Sequence, residues 1–210
     1  MKHVDITMIL DKSGSMGSIE SQVVTSFNSF LSEQQAVDKP ATLSLIQFDE
    51  RYEVVYQGED IQVAKPLNSD TYVPDGCTAL LDAIGKTIVD TKKRVNSDTT
   101  KVIMVITTDG LENASTEYRL KQVRTMIKEC EEEFGWTFIY LAADDASFDA
   151  HERMGFKHEY SIKTGRGGDA HVHASEMISK KLGLYRGTQL EKDLEFERQE
   201  REAAERLDEK

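Results

Sequence analysis

Two hydrophobic patterns alternate along the chain. Short apolar runs rich in β-branched residues recur between turn residues, a pattern typical of buried β-strands. Between most of these runs, apolar residues recur at three- and four-residue steps, which places them on one face of a helix. The predicted strands span residues 4–10, 43–48, 52–56, 102–107 and 137–142, with a weaker candidate at 158–162. Strands that alternate with helices indicate crossover connections and a mostly parallel sheet.

One connection departs from this alternation. Residues 43–48 and 52–56 are separated only by Asp49, Glu50 and Arg51, which is too short for a crossover and predicts an antiparallel hairpin. We therefore expect an α/β fold with a doubly wound, mostly parallel sheet, one antiparallel edge strand and helices on both faces. This domain is expected to occupy residues 1–188. Residues 189–210 are rich in charge and poor in large apolar groups, which predicts an exposed charged helix or a frayed tail.

Composition narrows the function classes. Of the 210 residues, 39% are hydrophobic, and 26 basic against 38 acidic residues give a net charge of −12. A chain this acidic repels phosphate backbones, so nucleic acid is not expected as a partner. No stretch approaches the roughly 20 apolar residues of a membrane helix, and the first residues lack the apolar core of a secretory signal. We expect a cytoplasmic protein without a membrane partner, in which Cys77 and Cys130 are reduced and form no zinc site.

Polar side chains follow the predicted strands where ligands bind in open α/β sheets, outside the carboxyl ends of the strands. Asp11, Ser13 and Ser15 alternate at the end of the first strand, so their side chains can project the same way. Asp109 comes two residues after the predicted strand 102–107, and Thr78 precedes the second predicted helix. Two carboxylates and three hydroxyls form an all-oxygen set, which suits Mg²⁺ or Mn²⁺ better than zinc or copper.

This set resembles the metal-ion-dependent adhesion site (MIDAS) of the von Willebrand factor type A family, which is also seen as integrin I domains. The resemblance covers nearly the whole chain before residue 189, and the five ligand types fall on Asp11, Ser13, Ser15, Thr78 and Asp109 in the family's order. Further residues match the sequence that is usual in the family at these positions: Gly14, Met16, Asp82, Ala83 and Gly110. Cys77 departs from it, since a small residue, often glycine, usually stands before the threonine.

The resemblance implies a binding mechanism and no catalysis. In family members the serines and the threonine ligate the ion directly, and one or both aspartates act through water. An ion with few direct negative ligands is expected to seek a Glu or Asp from a partner protein. Cellular supply favours Mg²⁺. Intracellular relatives often accompany AAA+ ATPases, metal chelatases or stress-response systems, so the resemblance suggests partners of those kinds.

An enzyme is the alternative class, namely a magnesium-dependent hydrolase or phosphatase using Asp11. A phosphatase of the haloacid dehalogenase type would place a second carboxylate two residues after the nucleophile, where this chain has Ser13. The chain also lacks a Walker loop with its lysine and a Gly-x-Ser-x-Gly elbow. The binding class is therefore favoured.

Three other polar features have ordinary structural explanations. His171 and His173 point to different faces of a helix, so we expect both to be exposed to solvent. Residues 165–168, which include Arg166, are expected to form a mobile loop, with Arg166 a candidate contact for the partner's acid. Asp144 and Asp145 are expected to cap the following helix.

Overall fold

The computed structural model describes residues 2–143, 145–165 and 167–206. These residues form a sheet of six strands in the order β3-β2-β1-β4-β5-β6. The strands are β1 (His3–Asp11), β2 (Ala41–Phe48), β3 (Tyr52–Asp60), β4 (Thr100–Thr108), β5 (Thr137–Ala142) and β6 (Ser161–Lys163). Only β3 runs antiparallel, paired with β2 at one edge. The predicted doubly wound sheet with one antiparallel edge strand is confirmed.

The helices cover the two faces of the sheet. They are α1 (Glu20–Gln35), α2 (Leu80–Arg94), α3 (Leu120–Phe134), α4 (Asp145–Met154), α5 (Gly168–Thr188) and α6 (Arg198–Glu205). Alternate residues of each central strand point to opposite faces, so Ile6 packs with α1 and α5, whereas Ile9 packs with α2 and α3. Each buried face of the sheet is thereby covered, as a parallel sheet requires.

The sixth strand differs from its prediction. Residues His158–Tyr160 form a 3₁₀ turn, and the strand begins only at Ser161. Its pairing with β5 covers three residues, from Ser161 to Lys163. Tyr160 is buried, so the apolar character of this segment reflects burial of a turn as well as of a strand.

Residues 189–206 include a charged helix, α6, as expected, and they also pack on the domain. Leu194, Phe196 and Ala204 are buried in the same core cluster as α1 and α5. Lys101 at the start of β4 donates to Glu191 at 2.7 Å, and Lys181 of α5 donates to Glu200 at 2.8 Å. The sequence pattern did not indicate this packing, in which three apolar side chains among many charged ones reach the core of the domain. Whether residue 188 bounds an independent domain stays a prediction.

His171 is buried, which corrects the expectation of solvent exposure. It lies in the first turns of α5 and lines a small cavity together with Leu10 of β1 and Phe27 of α1. His173 is partly buried on the same helix. Burial without a compensating charge lowers the pKa of His171 to about 4. Helical periodicity separated the two histidines correctly, but it did not show that α1 covers one of them.

The buried histidine predicts a pH-dependent stability. In the unfolded chain His171 binds a proton below about pH 6.5, whereas in the folded chain it does so only near pH 4. Protonation of His171 therefore favours the unfolded chain as the pH falls from 6.5 toward 4. It lowers the free energy of unfolding by about 2 kcal/mol at pH 5 and leaves it unchanged above pH 6.5. We expect His171→Asn to remove this loss when urea unfolding is measured in chelator at pH 7.5 and pH 5. Parallel pH profiles of the wild type and the variant would contradict the assignment.

Two expectations lie outside the described residues, namely those for Arg166 and Asp144, and so does the side chain of Asp145. Asp145 is the first residue of α4. None of the helices in the described ranges is both long and apolar enough to span a lipid bilayer.

Candidate metal centre

The order of the strands reverses between β1 and β4, and the predicted polar residues lie at this point. β1 pairs with β2 on one side and β4 on the other, and from there the chain winds in opposite directions. Asp11 is the last residue of β1, Thr108 is the last of β4, and Asp109 follows directly. Parallel pairing in register, with Leu10 opposite Thr107, brings these ends side by side. A crevice at the carboxyl ends of two diverging strands is where open α/β sheets bind ligands.

Hydrogen bonds join the two carboxylates to the serine loop. One Asp11 oxygen accepts the Ser13 N–H at 2.7 Å, and the other accepts the Thr108 hydroxyl at 2.5 Å. The Ser15 hydroxyl donates to Asp109 at 2.7 Å, and the Ser13 and Ser15 hydroxyl oxygens lie 3.2 Å apart. Four of the five predicted residues are therefore in direct contact, although they come from two segments far apart in sequence.

Thr78, which lies two residues before α2, is the fifth predicted residue of the site. A Cβ placed on Gly110 would lie 3.0 Å from the Thr78 hydroxyl oxygen, 3.6 Å from that of Ser15 and 3.8 Å from that of Ser13. The three hydroxyls thus surround one small volume above Gly110, where a larger residue would intrude. An all-oxygen cradle of three neutral hydroxyls beside two carboxylates fits a small, hard divalent cation.

The electrostatics of Asp11 fit a nearby cation. Asp11 is fully buried, and burial raises its pKa from the usual 3.8 to about 6, against the lowering effect of its bonds to Thr108 and Ser13. The charge of Asp109 raises the pKa of Asp11 further. A buried carboxylate next to a second one is costly unless a positive charge compensates both. Across the described ranges, no cluster of three or more His, Cys, Asp or Glu could hold a metal ion.

Two residues that sequence reasoning missed support Asp11. Thr108 lies just beyond the predicted strand 102–107 and was not among the predicted site residues, yet its hydroxyl donates to the Asp11 carboxylate. Tyr72 is fully buried, and its hydroxyl donates to the Asp11 carbonyl at 2.6 Å from a segment without regular structure. The position of Thr108 beside Asp109 was a usable signal for its role. Nothing local in the sequence indicated Tyr72, because its contact spans 61 residues.

The fold and the crevice together define a doubly wound α/β domain with a hydroxyl-rich oxygen site at its topological switch point. The sequence matches the von Willebrand factor type A domain over residues 5–172, and the chain belongs to that family. A search of curated proteins gives no significant match.

Solved structures share this fold at low identity. The pilus adhesin SpaC from Lactobacillus rhamnosus GG superposes with a TM-score of 0.67 at 15% identity, over 87% of this chain and 30% of that one. Proximal thread matrix protein 1 from the mussel byssus, with a zinc-occupied MIDAS motif, gives 0.60 at 14%, over 87% and 46%. Manganese-loaded TRAP protein from Plasmodium vivax gives 0.56 at 13%, over 81% and 72%. The chain therefore spans less than half of the first two proteins.

Proposed function

We propose that this chain is a divalent-cation-dependent protein-binding module. In this proposal Asp11, Ser13, Ser15, Thr78 and Asp109 hold the ion. The observation that carries it is the convergence of three hydroxyls on one small volume at Gly110, beside two hydrogen-bonded carboxylates. Membership in the von Willebrand factor type A family supports the same function.

The charges of the site determine what a partner would supply. Three of the five proposed ligands are neutral, and Asp11 already accepts bonds from Ser13 and Thr108. An ion held mainly by hydroxyls and water keeps much of its positive charge, so it attracts an anionic oxygen ligand. We propose that a Glu or Asp of a partner protein fills the open position, with Asp11 and Asp109 orienting the ligands around the ion.

The proposed ion is Mg²⁺, with Mn²⁺ as a substitute. Both accept oxygen ligands in a small octahedral shell, in which water and a partner's oxygen would complete the set of three hydroxyls and two carboxylates, whereas Ca²⁺ prefers a larger shell of six to eight oxygens. The manganese and zinc carried by two proteins of the same fold support occupancy by a divalent ion.

The proposed setting is an intracellular protein complex. A net charge of −12 disfavours nucleic acid, and a partner in an AAA+ ATPase, chelatase or stress-response assembly is consistent with the family resemblance. We propose a cytoplasmic, non-enzymatic role for the domain, with residues 189–210 as its charged C-terminal segment. Magnesium-dependent hydrolysis of a phosphoester by the wild type, lost on replacing Asp11, would overturn the non-enzymatic role.

Calorimetric titration of chelator-treated protein tests the ion site. We expect saturable binding of Mg²⁺ and Mn²⁺ by the wild type, and affinity about tenfold weaker in Thr78→Val, which removes one hydroxyl with little change in shape. Thr87→Val is the matched control, because Thr87 is a similarly buried threonine of α2 whose hydroxyl bonds to the Ala83 carbonyl and the Tyr52 hydroxyl and to none of the proposed ligands. Absence of binding by folded wild type, or equal affinity in all three proteins, would contradict the proposed site.

A further inference from the structure

The segment after Asp109 is hydrogen-bonded to the start of α2. Helix α2 begins at Leu80, and no side chain of its own N-cap residue satisfies its first N–H groups. The first N–H groups of a helix have no partner within it. Here Glu112 accepts the Leu81 N–H at 2.8 Å, and the Ser115 hydroxyl accepts the Asp82 N–H at 3.0 Å. The loop that leaves β4 therefore caps α2 from outside.

The bonding is reciprocal. The Asp82 carboxylate, on α2, accepts the N–H groups of Thr116, Glu117 and Tyr118 at 2.7 to 3.2 Å. Glu112 also accepts the Ser115 N–H and hydroxyl, each at 2.7 Å, which orders the loop itself. Residues 112–118 and the first turn of α2 are thus linked by bonds in both directions.

Thr78 is held at the centre of this linkage. The side-chain oxygen of Asn113 accepts the Thr78 N–H at 2.9 Å, while the Thr78 carbonyl accepts the N–H groups of Asn113 at 3.0 Å and Ala114 at 3.2 Å. Both polar groups of the Thr78 backbone are therefore bonded to the segment that follows Asp109. Of these three hydrogen bonds to the Thr78 backbone, the one to the Asn113 side chain can be removed by a substitution, because the other two come from backbone N–H groups.

We propose that Asn113 is a positioning residue, which fixes Thr78 relative to Asp109 and so sets the size of the ion that the site accepts. This inference rests on the proposed function. Mg²⁺–oxygen distances are 2.0–2.1 Å, whereas Ca²⁺ tolerates 2.3–2.6 Å in flexible geometry. Without the Asn113 side chain, the Thr78 N–H is free while its carbonyl stays bonded. The spacing of the Thr78 hydroxyl then loosens, which penalises the smaller and stricter ion more.

Two measurements on Asn113→Leu test the inference. In metal-free protein, we expect faster amide hydrogen exchange at Thr78, because its N–H loses its acceptor. In titrations, we expect Mg²⁺ affinity to fall about tenfold, as for other groups that orient metal ligands, and Ca²⁺ affinity to fall less. Asn113→Ser, which restores a short acceptor, is expected to recover part of both effects. Asn113 is exposed, so these replacements leave no cavity.

Asn96→Leu is the matched control. Asn96 is also exposed and accepts a backbone N–H, from Asp98 at 3.0 Å, but it precedes β4 at the opposite end of the sheet. The control is expected to leave Thr78 exchange and ion affinity unchanged. Unchanged Thr78 exchange in Asn113→Leu, or equal losses for Mg²⁺ and Ca²⁺, would overturn the inference while the proposed function stands. If the wild type binds no ion, the proposed function fails, and with it the ion-size role. The exchange measurement then decides only whether Asn113 orders Thr78.

Discussion

Asp11→Asn is expected to abolish stabilisation of the domain by Mg²⁺ without weakening the metal-free fold. At an ion concentration of 100 times its dissociation constant, the wild type should gain about 2.7 kcal/mol of unfolding free energy. The variant should gain none, because it loses the most buried negative charge of the proposed site. In chelator, the asparagine should be at least as stable as the aspartate. The amide oxygen of asparagine can still accept the Ser13 N–H, and its nitrogen can donate to the Thr108 hydroxyl oxygen. The asparagine also avoids a buried carboxylate without a counter-charge.

Urea unfolding with and without Mg²⁺ measures both effects. Asp5→Asn is the matched control, since Asp5 is a buried aspartate near the start of the same strand. It should lower the stability of the metal-free protein but keep the full gain from Mg²⁺. An Asp11→Asn protein that is stabilised by Mg²⁺ as strongly as the wild type would rule out Asp11 as part of the ion site. A variant that fails to fold in chelator would instead show that the carboxylate has a structural role.

Arg94→Met is expected to cause the largest loss of stability, about 3 kcal/mol. Arg94, at the end of α2, donates to both oxygens of Asp5 at 2.5 and 3.0 Å, and the Asp5 side chain is only 1% exposed. Removing the guanidinium leaves a buried carboxylate whose remaining side-chain donors, among the residues that the structure describes, are the hydroxyls of Thr7 and Thr42. Those two bonds place the loss at the lower end of the range for broken buried ion pairs.

The double replacement Asp5→Leu with Arg94→Met tests the cause. If the loss arises from an uncompensated charge, removing both partners should recover a large part of the stability. Arg198→Met is the surface control, since Arg198 pairs with Glu202 on exposed α6 and is 87% exposed. It should leave the urea midpoint unchanged. A double variant no more stable than Arg94→Met alone would point to lost packing of the arginine stem instead.

The architecture was accessible from the sequence because its causes are local. The β-branched runs and the helical periodicities each describe one element, and a three-residue connection is too short for anything but a hairpin. These features predicted the parallel sheet, its antiparallel edge strand β3 and the side of the sheet on which Asp11 and Asp109 emerge. The five proposed ligands were accessible for the same reason, since strand ends and helix starts can be located from the pattern.

Other features were decided only by the tertiary structure. His171 is buried because α1 lies across it, and Leu194 and Phe196 are buried because the last segment packs on the core of the domain. Tyr72 reaches Asp11 over 61 residues, and Asn113 reaches Thr78 over 35. Periodicity describes one element and carries no information on which element covers it. The sequence alone therefore determined the fold class and the set of polar groups at the crevice. Packing between distant segments determined how those groups are held, because the bonds that orient them join residues with no local relationship.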